Sequence, residues 1–264
     1  MQTAIIQIDN YGPWTVTPKP RREVDLQALQ SRLYADICQH YGSYGGLVFY
    51  TRFDNIIAVT NGVTKKQHRR LQQTISNRYP ITVSIGVGHH PNPKKAIKQA
   101  SHALQESGSA QDSERESRLE INTGSRGRDT VQIAHFDDND VTATTTDEVD
   151  GFEATVRIQE AYLELTKQLW KKHDSMTFFV GGDNFISVTP GLTRQDYREI
   201  TGEIGTSSKI ELKVGVGESE TPEDAGMKAK VGLEECRHHG RAVGFKGTQT
   251  EARETENEEK VVGN

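Results

Sequence analysis

Cysteine is nearly absent: Cys38 and Cys236 are the only two among 264 residues. Two thiols build neither a disulfide framework nor a Cys/His zinc cluster. Both fall in helical patterns, where they read as inert packing residues. Long apolar runs are missing too. Stretches such as Phe178-Phe179-Val180 are far too short to span a bilayer. A basic excess is missing: Lys and Arg total 32 against 37 Asp and Glu, a net charge of −5. That balance argues against a general nucleic-acid binder. The start, MQTAIIQIDN, has no basic leader and no apolar core, and reads as a strand rather than a signal peptide. A soluble protein of the reducing cytoplasm is expected, with neither nucleic acid nor membrane as partner.

What is present is an internal repeat. Phe49–Gly62 (FYTRFDNIIAVTNG) matches Phe178–Gly191 (FFVGGDNFISVTPG). A gapless alignment pairs Asp54 with Asp183, Gly86-Val87-Gly88 with Gly215-Val216-Gly217, Asp9-Asn10 with Asp138-Asn139, and Pro93 with Pro222, each 129 positions apart. Roughly 24 identities fall in about 96 positions, enough to read the chain as two copies of one unit.

Each copy follows one order. A short apolar strand (Thr3–Ile8, Val131–Phe136) precedes a long amphipathic helix (Asp25–His40, Val149–Trp170). A hairpin follows, then a helix opened by Thr64 or Thr193. A buried strand ending in Gly-Val-Gly comes next, and then a helix begun by Pro93 or Pro222. Such an order predicts α+β architecture: two tandem ferredoxin-like domains, with helices on a single face of each sheet. The expected boundaries are 1–108 and 130–246. Residues 109–129 read as a solvated linker with one strand-like stretch, Arg118–Ile121. Residues 247–264 read as a disordered acidic tail, and Ala242–Phe245 as a closing edge strand.

The acids are the candidate chemistry. Each copy places one site after its first strand (Asp9; Asp138 with Asp137 beside it) and one at its hairpin tip (Asp54; Asp183). In this layout the first strand lies beside the hairpin. Two adjacent carboxylates repel, and a divalent cation removes the conflict. Magnesium is held by one or two carboxylates together with substrate phosphates, so paired acids on neighbouring strands suggest a magnesium–triphosphate site. Gly181 and Gly182 let backbone approach phosphate oxygens; the first copy has Arg52-Phe53 there. Asp-Asn at a hairpin tip is also an ordinary turn signal. His89, after Gly86-Val87-Gly88, is a candidate general base. His135 is a weaker candidate, with a surface or core role the commoner reading.

These residues carry a resemblance. Val180–Phe185 (VGGDNF) after an acidic strand resembles the palm domain of class III nucleotidyl cyclases and GGDEF diguanylate cyclases. Ile5–Arg22 (IIQIDNYGPWTVTPKPRR), the YTRFDN hairpin and the duplication are similar to the archaeal GTP cyclohydrolase III family, over residues 4 to about 246. The resemblance implies a palm-like fold and an enzyme that hydrolyses GTP. It opens the imidazole ring, keeps the formyl group and releases two inorganic phosphates. The product is a formylamino-ribosylamino-pyrimidinone monophosphate for riboflavin or deazaflavin synthesis. It also implies magnesium, as two ions, with room for a monovalent cation, and a homo-tetramer. Asp9, Asp54, Asp137, Asp138 and Asp183 are the expected metal ligands. Asn10, Tyr11, Trp14, Arg52, Asn55, Gly181, Gly182 and Asn184 are the expected substrate contacts, with Tyr11 and Trp14 stacked on guanine. A nucleotidyl cyclase and a non-catalytic nucleotide sensor stand as alternatives.

Overall fold

The computed structural model describes residues 1–122, 130–138, 150–208 and 211–247. Asn139 and the acidic tail beyond Gly247 lie outside these residues. The chain divides into two compact units, Met1–Asp129 and Thr130–Asn264. The stretch read as a linker therefore belongs to the first unit.

The first unit runs β1 (Gln2–Ile8), α1 (Tyr11–Val16), α2 (Glu23–Gly42), β2 (Leu47–Arg52), β3 (Asn55–Val59), α3 (Lys65–Arg78), β4 (Val83–His89), α4 (Pro93–Glu106), β5 (Leu119–Asn122). The second runs β6 (Val131–Asp138), α5 (Gly151–Lys172), β7 (Met176–Gly181), β8 (Asn184–Thr189), α6 (Arg194–Ser208), β9 (Leu212–Ser219), α7 (Pro222–His239), β10 (Val243–Lys246). The sheet orders are β2-β3-β1-β4-β5 and β7-β8-β6-β9-β10. They match strand for strand, down to the parallel closing pairs β4–β5 and β9–β10.

The helix starts follow the local chemistry. Thr64 forms a capping box with Gln67. Pro93 and Pro222 occupy the first turns of α4 and α7 behind Asn92 and Thr221, whose side chains accept from Lys95 N and Asp224 N. No described helix is long and apolar enough to cross a membrane.

Helices cover both faces of each sheet, not one. Ala4, Ile6, Ile8, Val83, Ile85 and Val87 pack with Leu33, Ile37, Leu71 and Ile75 of α2 and α3. Gly86 and Gly88 alternate with those valines and so face the other way. A Cβ there would strike the backbone of Ala100 and Ala96, because α4 lies directly on the strand. Gly215 and Gly217 admit α7 against Ala229 and Ala225 in the same manner. The Gly-Val-Gly pairs are thus seats for a second helical layer, which hydrophobic periodicity alone does not reveal.

The pairing also corrects the repeat. Gly88 lies opposite Thr3, and Gly217 opposite Ile133. Asn55 lies opposite Gln7, and Asn184 opposite Asp137. The hairpins and glycine strands keep the 129 spacing, but the first strands stand 130 apart. Burial sets this register: Phe136 is fully buried on the α5–α6 side, the side that Ile6 takes in the first unit. A shift of one residue would turn it to the opposite face. Structurally, then, Asp137 replaces Gln7 and Asp138 replaces Ile8.

Candidate functional site

In the first unit the two acids are already occupied. Asp9 is 4% exposed. Its Oδ1 accepts from Ser84 Oγ at 2.6 Å and its Oδ2 from Thr82 Oγ1 at 2.8 Å and Ser117 N at 2.9 Å. Arg115 Nη2, equally buried, stands 3.3 Å from Oδ1 and donates to Gln7 Oε1 at 2.6 Å. Asp54 sits at the tip, where Arg52 grips it at 2.8 and 3.2 Å. Burial tends to raise its pKa, but Arg52 and Asn55 outweigh burial and hold it below the usual carboxylate range. Asp9 and Asp54 are two separately neutralised carboxylates, not an open pair.

The remaining candidates of this unit contact neighbouring residues, while Asn10 Oδ1 is buried with no hydrogen-bond partner among the described residues. Asn10 takes a left-handed conformation (φ 49°) at the start of α1, its N–H donating to Ala110 O at 2.7 Å. Tyr11 Oη accepts from Gln30 Nε2 at 2.6 Å. The Trp14 ring stacks on Tyr11 at 6.0 Å and carries the Arg21 guanidinium at 3.9 Å. Asn55 Oδ1 accepts from Gln7 Nε2 at 3.0 Å. His89 pairs with Gln2, at the far end of β1 from Asp9. Seven residues of strand separate those ends, roughly 23 Å at about 3.3 Å per residue, which removes His89 as a base for this acidic edge.

The second unit does bring two acids together. Asp137 leaves the end of β6 on the α7 side, opposite Asn184. It is buried and salt-bridged at 2.6 Å to Arg237 from the last turn of α7. Asp183 occupies the two-residue tip between Gly181 and Asn184, whose entry needs positive φ at Gly181 (112°) and Gly182 (61°). Its pKa is raised, first by burial and next by the negative charge of Asp137. Asp138 lies on the other face of β6 by strand alternation. Beside the couple, His135 Nε2 lies 2.9 Å from Asn184 Oδ1, and Asn184 Nδ2 donates to Asp183 Oδ1 at 2.8 Å. Burial lowers the His135 pKa despite Asn184 and Asp137 nearby.

Among the described residues no group of three or more His, Cys, Asp or Glu is arranged to hold a metal. Two neighbouring oxygen-donor carboxylates, with the charge of Asp137 opposing ionisation of Asp183, nevertheless suit magnesium, which draws its other ligands from phosphate and water. Arg237, Arg115 and Gln7 escaped the sequence reading. Nothing local marks a partner that arrives from a distant helix or from a polar loop.

The fold defines a class: an internally duplicated α+β protein of two tandem palm-like units. Solved structures with similarity include the GGDEF domain of DgcB from Caulobacter crescentus (TM-score 0.38, 16% identity, 44% of this chain and 77% of that one). A bacterial light-regulated adenylyl cyclase gives TM-score 0.36 and 12% identity over 93% of this chain and 85% of that one. The family model described as GTP cyclohydrolase III matches residues 1–249. GTP cyclohydrolase III 1 of Halobacterium salinarum is 50% identical over 94% of this chain and 98% of its own. The Methanocaldococcus jannaschii GTP cyclohydrolase III is 48% identical, covering 90% and 88%. The chain belongs to the GTP cyclohydrolase III family and is an enzyme of the cyclohydrolase class.

Proposed function

We propose that this chain hydrolyses GTP at the acidic edge of its second unit. The reaction opens the imidazole ring, retains the formyl group and releases the two outer phosphates as inorganic phosphate. The product is a formylamino-ribosylamino-pyrimidinone monophosphate of the kind that riboflavin and deazaflavin synthesis consumes. The observation that carries this reading is the placement of Asp137 opposite Asn184, next to the hairpin acid Asp183, with Arg237 salt-bridged to Asp137.

Asp137 and Asp183 would hold magnesium. When bound, that ion neutralises phosphate charge and makes a water molecule more acidic. The chain's own contribution is arrangement. β6 and the hairpin present the two carboxylates side by side. Gly181 and Gly182 carry no side chains on the approach to Asp183, so their backbone amides can come close to phosphate oxygens. Arg237 supplies positive charge and a planar donor fork suited to phosphate. In the first unit Asp9 and Asp54 are each held by an arginine of that unit, Arg115 and Arg52, so the reading favours the second unit for the metal-binding edge.

The test is incubation with GTP and magnesium, following purine absorbance, free phosphate and the mass of the nucleotide product. Loss of the purine spectrum with about two phosphates per turnover supports ring opening; a cyclic nucleotide with pyrophosphate would overturn it. Asp183→Asn and Asp137→Asn should each lower kcat by at least about 100-fold, the scale of removing a group that stabilises transition-state charge. Asp54→Asn should leave kcat within about threefold. The reverse pattern would move the site to the first unit.

A further inference from the structure

Both units hold the hairpin asparagine from the first strand, but by different residues. In the first unit Gln7, directly opposite, donates Nε2–H to Asn55 Oδ1 at 3.0 Å. In the second the opposite residue is Asp137, which cannot donate as a carboxylate. The partner there is His135, two residues back on the same face, reaching Asn184 diagonally at 2.9 Å. The first unit has Ile5 at that place.

Hydrogen-bond chemistry fixes the direction of the chain. Asp183 Oδ1 only accepts, so the Asn184 atom facing it at 2.8 Å is the NH2 group. The Asn184 oxygen therefore faces His135, and His135 must donate from Nε2. The result is a relay, His135 Nε2–H to Asn184 Oδ1, then Asn184 Nδ2–H to Asp183 Oδ1. It pins one carboxylate oxygen of Asp183 and leaves Oδ2 outside the relay.

We propose that His135 is a positioning residue for the metal-binding carboxylate of Asp183. By taking over the work that Gln7 does in the first unit, it frees position 137 to carry a second acid. The inference rests on the reading of Asp137 and Asp183 as the magnesium couple. His135 touches neither substrate nor metal; it acts through Asn184.

The experiment has two arms. In the first, long-range proton–nitrogen NMR on the full-length 15N-histidine protein, assigned by difference with His135→Gln, reads the tautomer. Protonated Nε2 with bare Nδ1 is expected; the Nδ1–H tautomer overturns the proposal. In the second, Mn2+ binding and steady-state kinetics compare wild type with His135→Ile, the residue found in the first unit, and with His135→Gln. His135→Ile should weaken Mn2+ binding about 10-fold or more, the size of losing a partner behind a metal ligand. It should also raise the KM for metal–nucleotide more than it lowers kcat. His135→Gln, which puts an N–H where Nε2 stands, should recover Mn2+ binding to within about threefold of wild type. Unchanged Mn2+ binding in His135→Ile overturns the proposal while GTP hydrolysis by wild type stands. If His135→Ile fails to fold, the tautomer of the wild type decides. Absence of GTP hydrolysis in wild type with the Nε2–H tautomer present would sink the functional reading and not this relay.

Discussion

Replacing Asp9 by Asn separates structural from catalytic use of the most deeply buried acid in the first unit. The change is isosteric but turns one acceptor oxygen into an NH2 donor. If that group faces Thr82 and Ser117, it meets the Ser117 N–H, which stands 2.9 Å away and cannot rotate. If it faces the other side, it meets Ser84 Oγ, which already accepts from Arg118 N at 3.0 Å, and Arg115 Nη2. Either way the Arg115 guanidinium loses its counter-charge while staying buried. Breaking a buried pair in this manner costs about 3–5 kcal/mol. For a unit of 129 residues, at about 4 °C per kcal/mol, the transition of the first unit should fall by roughly 10–20 °C. Calorimetry would read this, with hydrogen exchange on β1 and β4 locating the loss. Mn2+ binding and kcat, measured well below the transition, should stay within about threefold of wild type. A variant of unchanged stability whose activity falls a thousandfold would refute this account and make Asp9 a metal ligand.

Gly88→Ala should destabilise by about 2–3 kcal/mol, because the new methyl meets Ala96 and Ala100 backbone rather than a flexible side chain. Gly202→Ala, an exposed position in α6 with open space around it, should stabilise by about 0.5–1 kcal/mol. Opposite signs in urea melts check the second helical layer, and equal effects would contradict it. His68 is buried, its Nδ1 2.8 Å from Tyr41 Oη, and Gln2 can only donate toward its Nε2. Burial, with His40 and His89 adding to it, pushes its pKa down to about 4. The folded state thus excludes a proton that the unfolded chain takes up near pH 6.5. The resulting stability is full above about pH 6.5 and is lost as pH falls toward about 4, by about 3 kcal/mol in all. Urea titrations across that window should show the slope in wild type and lose it in His68→Gln; a slope that persists would refute the assignment.

Much of this was legible in the residues, for identifiable reasons. Pro93 and Thr64 mark helix starts because capping is local chemistry. Leu33, Ile37, Leu71 and Ile75 mark inward faces because burial imposes period. The hairpin that carries Asp183 at its tip was legible because Gly-Gly-Asp-Asn between two apolar runs is turn chemistry. The first-strand register was not. A gapless match of Asp9-Asn10 to Asp138-Asn139 scores identical letters, whereas the sheet scores buried volume. Phe136 with Ala134 outweighs two polar identities at a strand end, so Asp137, and not Asp138, faces the hairpin acid. Pairing partners were not legible either. Arg115 lies in a stretch as polar as any linker, and Arg237 in a helix end where basic residues also suit the helix dipole.

On the proposed reading, the one-residue offset means that a single change would not turn the first unit into a metal-binding edge. Gln7→Asp would set a carboxylate where Asp137 stands, beside Arg115 as Asp137 lies beside Arg237. It would also remove the donor that Gln7 presents to Asn55 Oδ1, leaving Arg52 to orient the hairpin acid. Ile5→His together with Gln7→Asp transplants the relay as well. Room exists, since Ile5, Gln7, Asn55 and Arg115 line a cavity of about 470 Å3 against α4. In an Asp183→Asn background, Mn2+ titration should show no binding for Gln7→Asp alone and measurable binding for the double variant. Equal binding by both would mean that the asparagine clamp is irrelevant to holding the ion, and that position 7 alone distinguishes the two copies.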